Sequence, residues 1–309
     1  MGEPVAITDR SIRVLRSARF AVLGMAAAFG ASAALAAIDL PTEESELTAL
    51  GQQHRTAWDL YKAFEAQANG GKRLDLAHLP DWKGLYSRQG ILFNFDQDQG
   101  QNRMPPAKLT PEYEKRFLDK LDGITRGIEF DPLSNCSPPG HPRWLTEPFL
   151  REFVVTPEQT WLINEMVNDI RRIYTDGRDH VPEEDRYPLY NGDSIGFWDG
   201  DKLVIHTNQL HAGQYQRTQP EYSDQVETVE IWQKVDDRTL LAHVWVYDPP
   251  SLQEPWHALQ TYKKLSNDDH SLRIRYWDCA ENQNNDVIQT DSGSSQFRDF
   301  TFTNSDDAK

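Results

Sequence analysis

Arg172, Tyr174, His206 and Glu230 have the side-chain chemistry of proton transfer and fall on stretches that alternate like β-strands. A His or Glu can take a proton, a Tyr can give one, and an Arg can hold a carboxylate or steady a phenolate or enolate as charge develops. If all four point to one place, they support acid–base catalysis with no cofactor. The plainer account makes Arg172 and Tyr174 an exposed cross-strand pair and Glu230 an outward strand carboxylate. Metal binding competes for the same residues: His206 and His211, with His180 and Glu227 or Glu230 nearby in the chain, have the ligand types of a catalytic zinc site. The interval from His206 to His211 is no recognised ligand spacing, and polar loop histidines are the simpler account, so the expectation is no metal and no cofactor. Phosphate-loop, zinc-helix and nucleophile-elbow patterns are absent from the sequence. Gly192-Asp193-Ser194-Ile195-Gly196 precedes a strand rather than a helix, which makes it a tight turn.

Aromatic residues suggest what such groups would act on. The chain has 9 Trp, 11 Tyr and 13 Phe, and Trp161, Trp198, Trp232, Trp245, Tyr247, Trp256 and Trp277 fall in or beside the strand-rich half. Most Trp rings fill core. If some line a lumen, they favour a flat aromatic ring or a sugar. Trp161, Trp198, Trp245 and Tyr247, with His243 and His211, are the expected substrate-binding set.

The elements that would position these residues come in two blocks. Helical spacing runs from Glu43 to about Ala68 and stops at Asn69-Gly70-Gly71; a second helix opens at Thr110-Pro111-Glu112 and runs toward Gly123. One or two strands are expected between Leu79 and Phe95. From Arg151 the pattern becomes strands at 152–155, 160–164, 170–175, 194–198, 202–210, 225–235, 239–247, 258–265 and 272–277, separated by turn residues. No helices intervene, which predicts a mainly β fold: an antiparallel lipocalin-like barrel over 151–303, with the segment 37–150 packed against it and a tail at 304–309. Alternation places Leu240, Ala242, Val244 and Val246 on one face and Leu241, His243, Trp245 and Tyr247 on the other. Arg172 and Tyr174 share a face with Ile170, His206 shares one with Val204 and Asn208, and Glu230 shares one with Thr228 and Trp232. Both faces are partly apolar, so one should meet the helices and the other a lumen.

The first 36 residues are of a different kind. Arg10, Arg13, Arg16 and Arg19 precede an apolar stretch from Phe20 to Leu35 that ends in an Ala-x-Ala site, Ala34-Leu35-Ala36. These are the parts of a secretory signal peptide, and the stretch is shorter than the roughly 20 residues that span a bilayer. Its removal takes the net charge from −16 to −18. So acidic a chain excludes nucleic acid and anionic membrane as default partners; the expected partner is a small aromatic molecule, the location periplasmic or secreted, and the oligomeric state is open. Export permits a disulfide between the only two cysteines, Cys136 and Cys279, with two buried thiols as the alternative.

The segments Cys136-Ser137-Pro138-Pro139-Gly140-His141-Pro142-Arg143, Arg171-Arg172-Ile173-Tyr174-Thr175-Asp176-Gly177-Arg178-Asp179-His180, Gly192-Asp193-Ser194-Ile195-Gly196-Phe197-Trp198-Asp199-Gly200-Asp201-Lys202-Leu203-Val204-Ile205 and Cys279-Ala280-Glu281-Asn282, with Pro80-Asp81-Trp82-Lys83-Gly84, resemble a large family of exported bacterial proteins of mostly unassigned function. The resemblance covers roughly Leu79 to Phe300 and implies a lipocalin-like barrel with a pocket. Where that family usually has Leu-Val-Val-Asp-Thr, this chain has Leu203-Val204-Ile205-His206-Thr207, so His206 is a candidate for chemistry particular to this member. The leading expectation is an exported lyase or isomerase acting on a small aromatic compound, in its concrete version a lignin-derived phenolic dimer cleaved by retro-aldol release of formaldehyde. In it His206 is the base, Tyr174 and Arg172 hold the phenolic or carboxylate end, and Trp rings clamp the substrate. A non-catalytic carrier of an aromatic or apolar ligand and a metal-dependent hydrolase are the alternatives.

Overall fold

Nine strands cannot alternate direction all the way round a closed ring, so at least one neighbouring pair must run parallel. The computed structural model shows such a ring and describes residues 37–90, 107–129, 131–266, 272–277, 287–289 and 295–297. In chain order the elements are α1 (Glu44–Gln52), α2 (Ala57–Gln67), β1 (Leu85–Gln89), α3 (Pro111–Thr125), β2 (Ile128–Glu129), β3 (Arg151–Val155), β4 (Gln159–Asn164), β5 (Asp169–Tyr174), β6 (Asp193–Asp199), β7 (Lys202–Asn208), β8 (Gly213–Gln214), β9 (Glu221–Tyr222), β10 (Glu227–Asp236), β11 (Thr239–Tyr247), β12 (Trp256–Lys264), β13 (Val287–Gln289) and β14 (Ser295–Phe297). The barrel order is β1-β12-β11-β10-β7-β6-β5-β4-β3, closed by β1 against β3. The signal segment, Cys279 and the tail 304–309 lie outside the described residues.

The ring is therefore mixed, which corrects the expected all-antiparallel meander. The parallel pair is β5 with β6, in register Ile173↔Ser194 and Tyr174↔Ile195. A parallel neighbour needs a long crossover rather than a hairpin. Residues 175–192 supply it, so Asp176-Gly177 begins an excursion and not the tight turn expected there. The strand expected at Leu272–Trp277 is also absent, and those residues carry no regular structure. Instead β1, from the N-terminal block, is the ninth stave.

Side chains alternate cleanly across the barrel wall. Phe153, Leu162, Ile173, Leu203, Ile205, Trp232, Leu240, Ala242, Val244 and Tyr262 belong to the inner core with Trp82, Tyr86 and Trp198. The rings pack on one another, with Trp82 and Trp198 at 5.3 Å and Trp232 stacked on Tyr262 at 5.3 Å between centroids. Ile195, Phe197, Val204, Val229, Ile231, Trp245 and Tyr247 form a second core on the outer face, under α1 and α2. The single helix expected over Glu43–Ala68 is two: Thr56 closes a capping box with Asp59 and starts α2 afresh. That break lets both helices lie on the curved wall. Trp245 Nε1 donates to the Leu47 carbonyl at 2.8 Å, and the Tyr247 hydroxyl donates to the Gly51 carbonyl at 2.7 Å. Gly51 is required by this approach, since a Cβ there would sit 2.6 Å from Trp245 Cδ1. Asp199 pins the start of the described chain, accepting from the backbone N–H of Ala37 and Ile38 at 2.9 and 2.7 Å. Among the described residues no helix is long and apolar enough to cross a membrane.

Candidate active site

Beneath α2 the outer face carries a linear chain of titratable groups. Asp193 at the start of β6 accepts from His180 Nδ1 at 2.8 Å and from the Val181 N–H at 3.0 Å, which clamps the crossover onto the sheet. His180 Nε2 lies 2.7 Å from Nδ1 of His206 on β7, and His206 Nε2 faces Glu227 on β10 at 3.3 Å. Trp58 and Tyr61 of α2 roof the pair, their ring centroids 5.1 and 5.6 Å from that of His206. Both imidazoles are nearly sealed, whereas the Glu227 side chain is 37 % exposed, so the chain meets solvent at the Glu227 end.

Counting protons shows what this arrangement can do. With both carboxylates ionised, the three links need three protons, but two neutral imidazoles carry only two. Asp193 fixes one proton on His180 Nδ1, and the short inter-ring bond takes the second from His206 Nδ1 to His180 Nε2. The third is missing at the longest link, which leaves a lone pair on His206 Nε2 at the open end. Burial, the largest influence, pulls the His206 pKa below the ordinary imidazole value; His180 acts in the same sense and Glu227 against it. His206 is thus neutral near pH 7 and basic at Nε2. A proton arriving there completes every link and places the imidazolium between two carboxylates. Asp193 stays ionised: burial pushes its pKa up, but the hydrogen bonds from His180 and the Val181 N–H outweigh that and hold it below the usual range.

Glu230, expected beside His206, lies on the opposite face of the wall. It points into the barrel, where Arg171 grips it bidentately at 2.6 and 3.0 Å while also donating to Thr207 at 2.7 Å and Ser194 at 3.3 Å. Trp232 Nε1 donates to Glu230 at 2.9 Å, and His141 Nε2 donates to Thr228 at 2.8 Å. Arg171, Glu230 and His141 have no exposed surface. Burial works to raise the Glu230 pKa, but the Arg171 guanidinium and His141 overcome it and hold the carboxyl well below the usual range; burial holds His141 neutral, with its pKa down to about 4. This cluster is charge-balanced and closed.

Arg172 and Tyr174 do share the outer face with His206, and Tyr174 lies in the same cross-strand row, Tyr174↔Ile195↔His206. Neither is hydrogen-bonded to the histidine chain. Arg172 stacks over its cross-strand partner Trp161 at 5.4 Å, and Arg178 stacks over Tyr174 at 4.0 Å. The four expected catalytic groups therefore do not converge. Of the expected aromatic clamp, Trp198 is inner core, and Trp245 and Tyr247 are spent docking the helices. His243 pairs with His257 at 3.1 Å, and burial lowers its pKa to about 4; exposed His211 stacks on Tyr190 at 5.2 Å. Among the described residues no group of three or more His, Cys, Asp or Glu is arranged to hold a metal ion.

Sequence reasoning missed Asp193, Trp58, Tyr61, Arg171 and His141 as site members, and named His180 and Glu227 only as metal ligands. His180 and Asp193 both sit inside the quoted motifs, the one available signal; nothing local reveals that the crossover folds back between them. Beside the roof, Trp58 and Tyr61 also wall a groove of about 310 Å³ with Lys72, Arg73, Arg178 and Phe197, while His206 is not among its lining. No protein-family model matches this chain, and no curated protein matches it either.

Proposed function

We propose that the chain is an exported lyase or isomerase that acts on a small aromatic compound by acid–base catalysis without a cofactor, with neutral His206 as the base. The observation that carries the proposal is the Asp193–His180–His206–Glu227 chain, one proton short at its solvent end. In the retro-aldol version, His206 Nε2 takes the hydroxyl proton of a primary alcohol on a phenolic diaryl compound. The C–C bond to that carbon breaks and formaldehyde leaves. The freed electron pair forms the stilbene double bond as the neighbouring benzylic oxygen departs with the proton. Trp58, 37 % exposed, offers a ring face to the substrate. Lys62, over the Trp58 ring at 5.4 Å, and Lys72 and Arg73 in the adjoining groove supply positive charge for a phenolate or carboxylate end, in place of Arg172 and Tyr174. The lipocalin-like type of the barrel, kinship with the exported family, periplasmic location and a Cys136–Cys279 bridge belong to the same proposal. Formaldehyde release from a panel of aromatic dimers tests it: His206→Asn should lower turnover by about 10²–10⁴, and turnover equal to wild type overturns it.

A non-catalytic carrier is the second reading, favoured by polar atoms inside the barrel wall. Trp82 Nε1, Tyr86 Oη and Thr160 Oγ1 are buried with no hydrogen-bond partner among the described residues, as in a site prepared for a ligand. Mass spectrometry after incubation separates the readings, since a carrier returns the compound unaltered.

A further inference from the structure

The inner face along β1, β3 and β12 carries more buried donors than acceptors without a partner among the described residues: Arg88 Nε, Arg151 Nε, Tyr86 Oη and Trp144 Nε1 against Gln260 Oε1. Arg151 is completely buried, and it pairs across the β1–β3 ladder with Tyr86. Its terminal nitrogens donate to the carbonyls of Phe149 at 2.7 Å and Trp144 at 2.6 Å, and its guanidinium lies over the rings of Trp144 at 4.8 Å and Tyr262 at 5.3 Å. No carboxylate forms an ion pair with it among the described residues. Arg88, two residues beyond Tyr86 on β1, pairs with Tyr262 on β12, so it shares this face; one terminal nitrogen donates to the Gly90 carbonyl. The Nε atoms of both arginines are buried and without a hydrogen-bond partner among the described residues, as are the Tyr86 hydroxyl and Trp144 Nε1.

Burying such a face is costly. A fully buried cation, Arg151, and a half-buried one, Arg88, on the same face repel each other, and desolvation lowers the pKa of both. The acid whose charge reaches both, Glu147, is already hydrogen-bonded to Arg143 at 2.5 Å. Elsewhere in the same barrel, Arg171 has its own carboxylate in Glu230 and its donors are satisfied. The contrast points to an acceptor-bearing anion that arrives from outside the chain. Two single Nε–H donors on separate arginines suit the two oxygens of one carboxylate, and the aromatic side chains of this face, Tyr86, Trp144, Phe153 and Tyr262, offer ring edges to a ring bound beside it.

We infer that the barrel interior along β1, β3 and β12 binds the carboxylate of an aromatic acid through Arg88 and Arg151. The inference sharpens the carrier reading by naming its ligand class, and it is independent of chemistry at His206, which lies across the wall. The test is calorimetric titration of the full chain with 4-hydroxy-3-methoxybenzoate and with the neutral primary amide of the same ring. The acid should bind at least about tenfold more tightly than the amide, and Arg88→Gln or Arg151→Gln should remove that preference. Arg88 is only half-buried at the end of a strand, so if Arg151→Gln fails to fold, Arg88→Gln alone decides. Equal binding of acid and amide overturns the anion site but leaves a barrel that carries neutral rings. Binding of neither overturns the carrier reading as well. A preference that survives Arg88→Gln but disappears in a Lys72→Gln, Arg73→Gln variant assigns the anion to the outer groove and overturns the inference.

Discussion

Strands β6, β7 and β10 carry two polar clusters that are one residue apart in sequence and one wall apart in space. Ser194, Thr207, Thr228 and Glu230 face inward around Arg171; Asp193, His206 and Glu227 face outward around His180. The inner cluster has each guanidinium nitrogen of Arg171 engaged and its charges neutralised. The outer one has the same kinds of groups, but it lacks a proton at its open end. A polar network whose charges are paired and sealed from solvent holds a fold in register, whereas a network one proton short, and in reach of solvent, can exchange that proton with a substrate. The two should therefore fail differently when broken.

The largest effect is expected inside. Glu230→Ala leaves Arg171 buried without its counter-ion and should cost about 3–5 kcal/mol of stability, read as a lower urea midpoint at unchanged slope. A loss below about 1 kcal/mol would erase the distinction between the clusters. His206→Asn should lower turnover of an aromatic dimer by about 10²–10⁴ while costing only about 1–2 kcal/mol of stability. The reverse pattern would make the outer chain structural too.

Acid should strike the inner cluster through His141. Its pKa falls from 6.5 in the unfolded chain to about 4 in the folded one, so between these values the unfolded chain binds the extra proton. Stability from this group is complete above pH 6.5 and drains as pH falls toward 4, by up to about 1.4 kcal/mol per pH unit. Urea unfolding at pH 7, 6 and 5 should show a shallower dependence in His141→Gln than in wild type; matching slopes would remove His141 from the account. Outside, activity needs neutral His206 and is lost as pH drops through its depressed pKa. Asp193 favours the imidazolium, so Asp193→Asn should move that acid limb to still lower pH, by about 1 unit or less. A shift upward contradicts the relay. Smallest of all, Arg172→Ala and Tyr174→Phe should leave turnover within about twofold of wild type and stability within about 0.5 kcal/mol. A large loss of activity in either would extend the site along the outer face.

Much of the wall was legible because a strand's alternation is written residue by residue. Leu240, Ala242, Val244 and Val246 do face inward together, and His243, Trp245 and Tyr247 do face the helices. The same rule puts His206 beside Val204 and Glu230 beside Thr228 and Trp232, as the structure has them. What alternation within each strand does not supply is the phase between strands. His206 on β7 and Glu230 on β10 take opposite faces because the ladder sets Ile205 opposite Glu230 and His206 opposite Val229. Nor does local pattern foretell the parallel β5–β6 pair or β1 as the closing stave, since both depend on where distant segments meet.

By itself, the sequence determined most of the segments that are strands or helices, 272–277 excepted, and which residues share a face within each. These follow from backbone periodicity and side-chain type, both local. Only the tertiary structure decided that the crossover brings His180 back between Asp193 and His206, that Arg171 claims Glu230, and that Arg88 and Arg151 face inward with no acid paired to them among the described residues. The reason is physical: an ion pair or a proton relay depends on separations of a few ångströms, and those are fixed by ring closure and ladder register across residues that lie far apart in the chain.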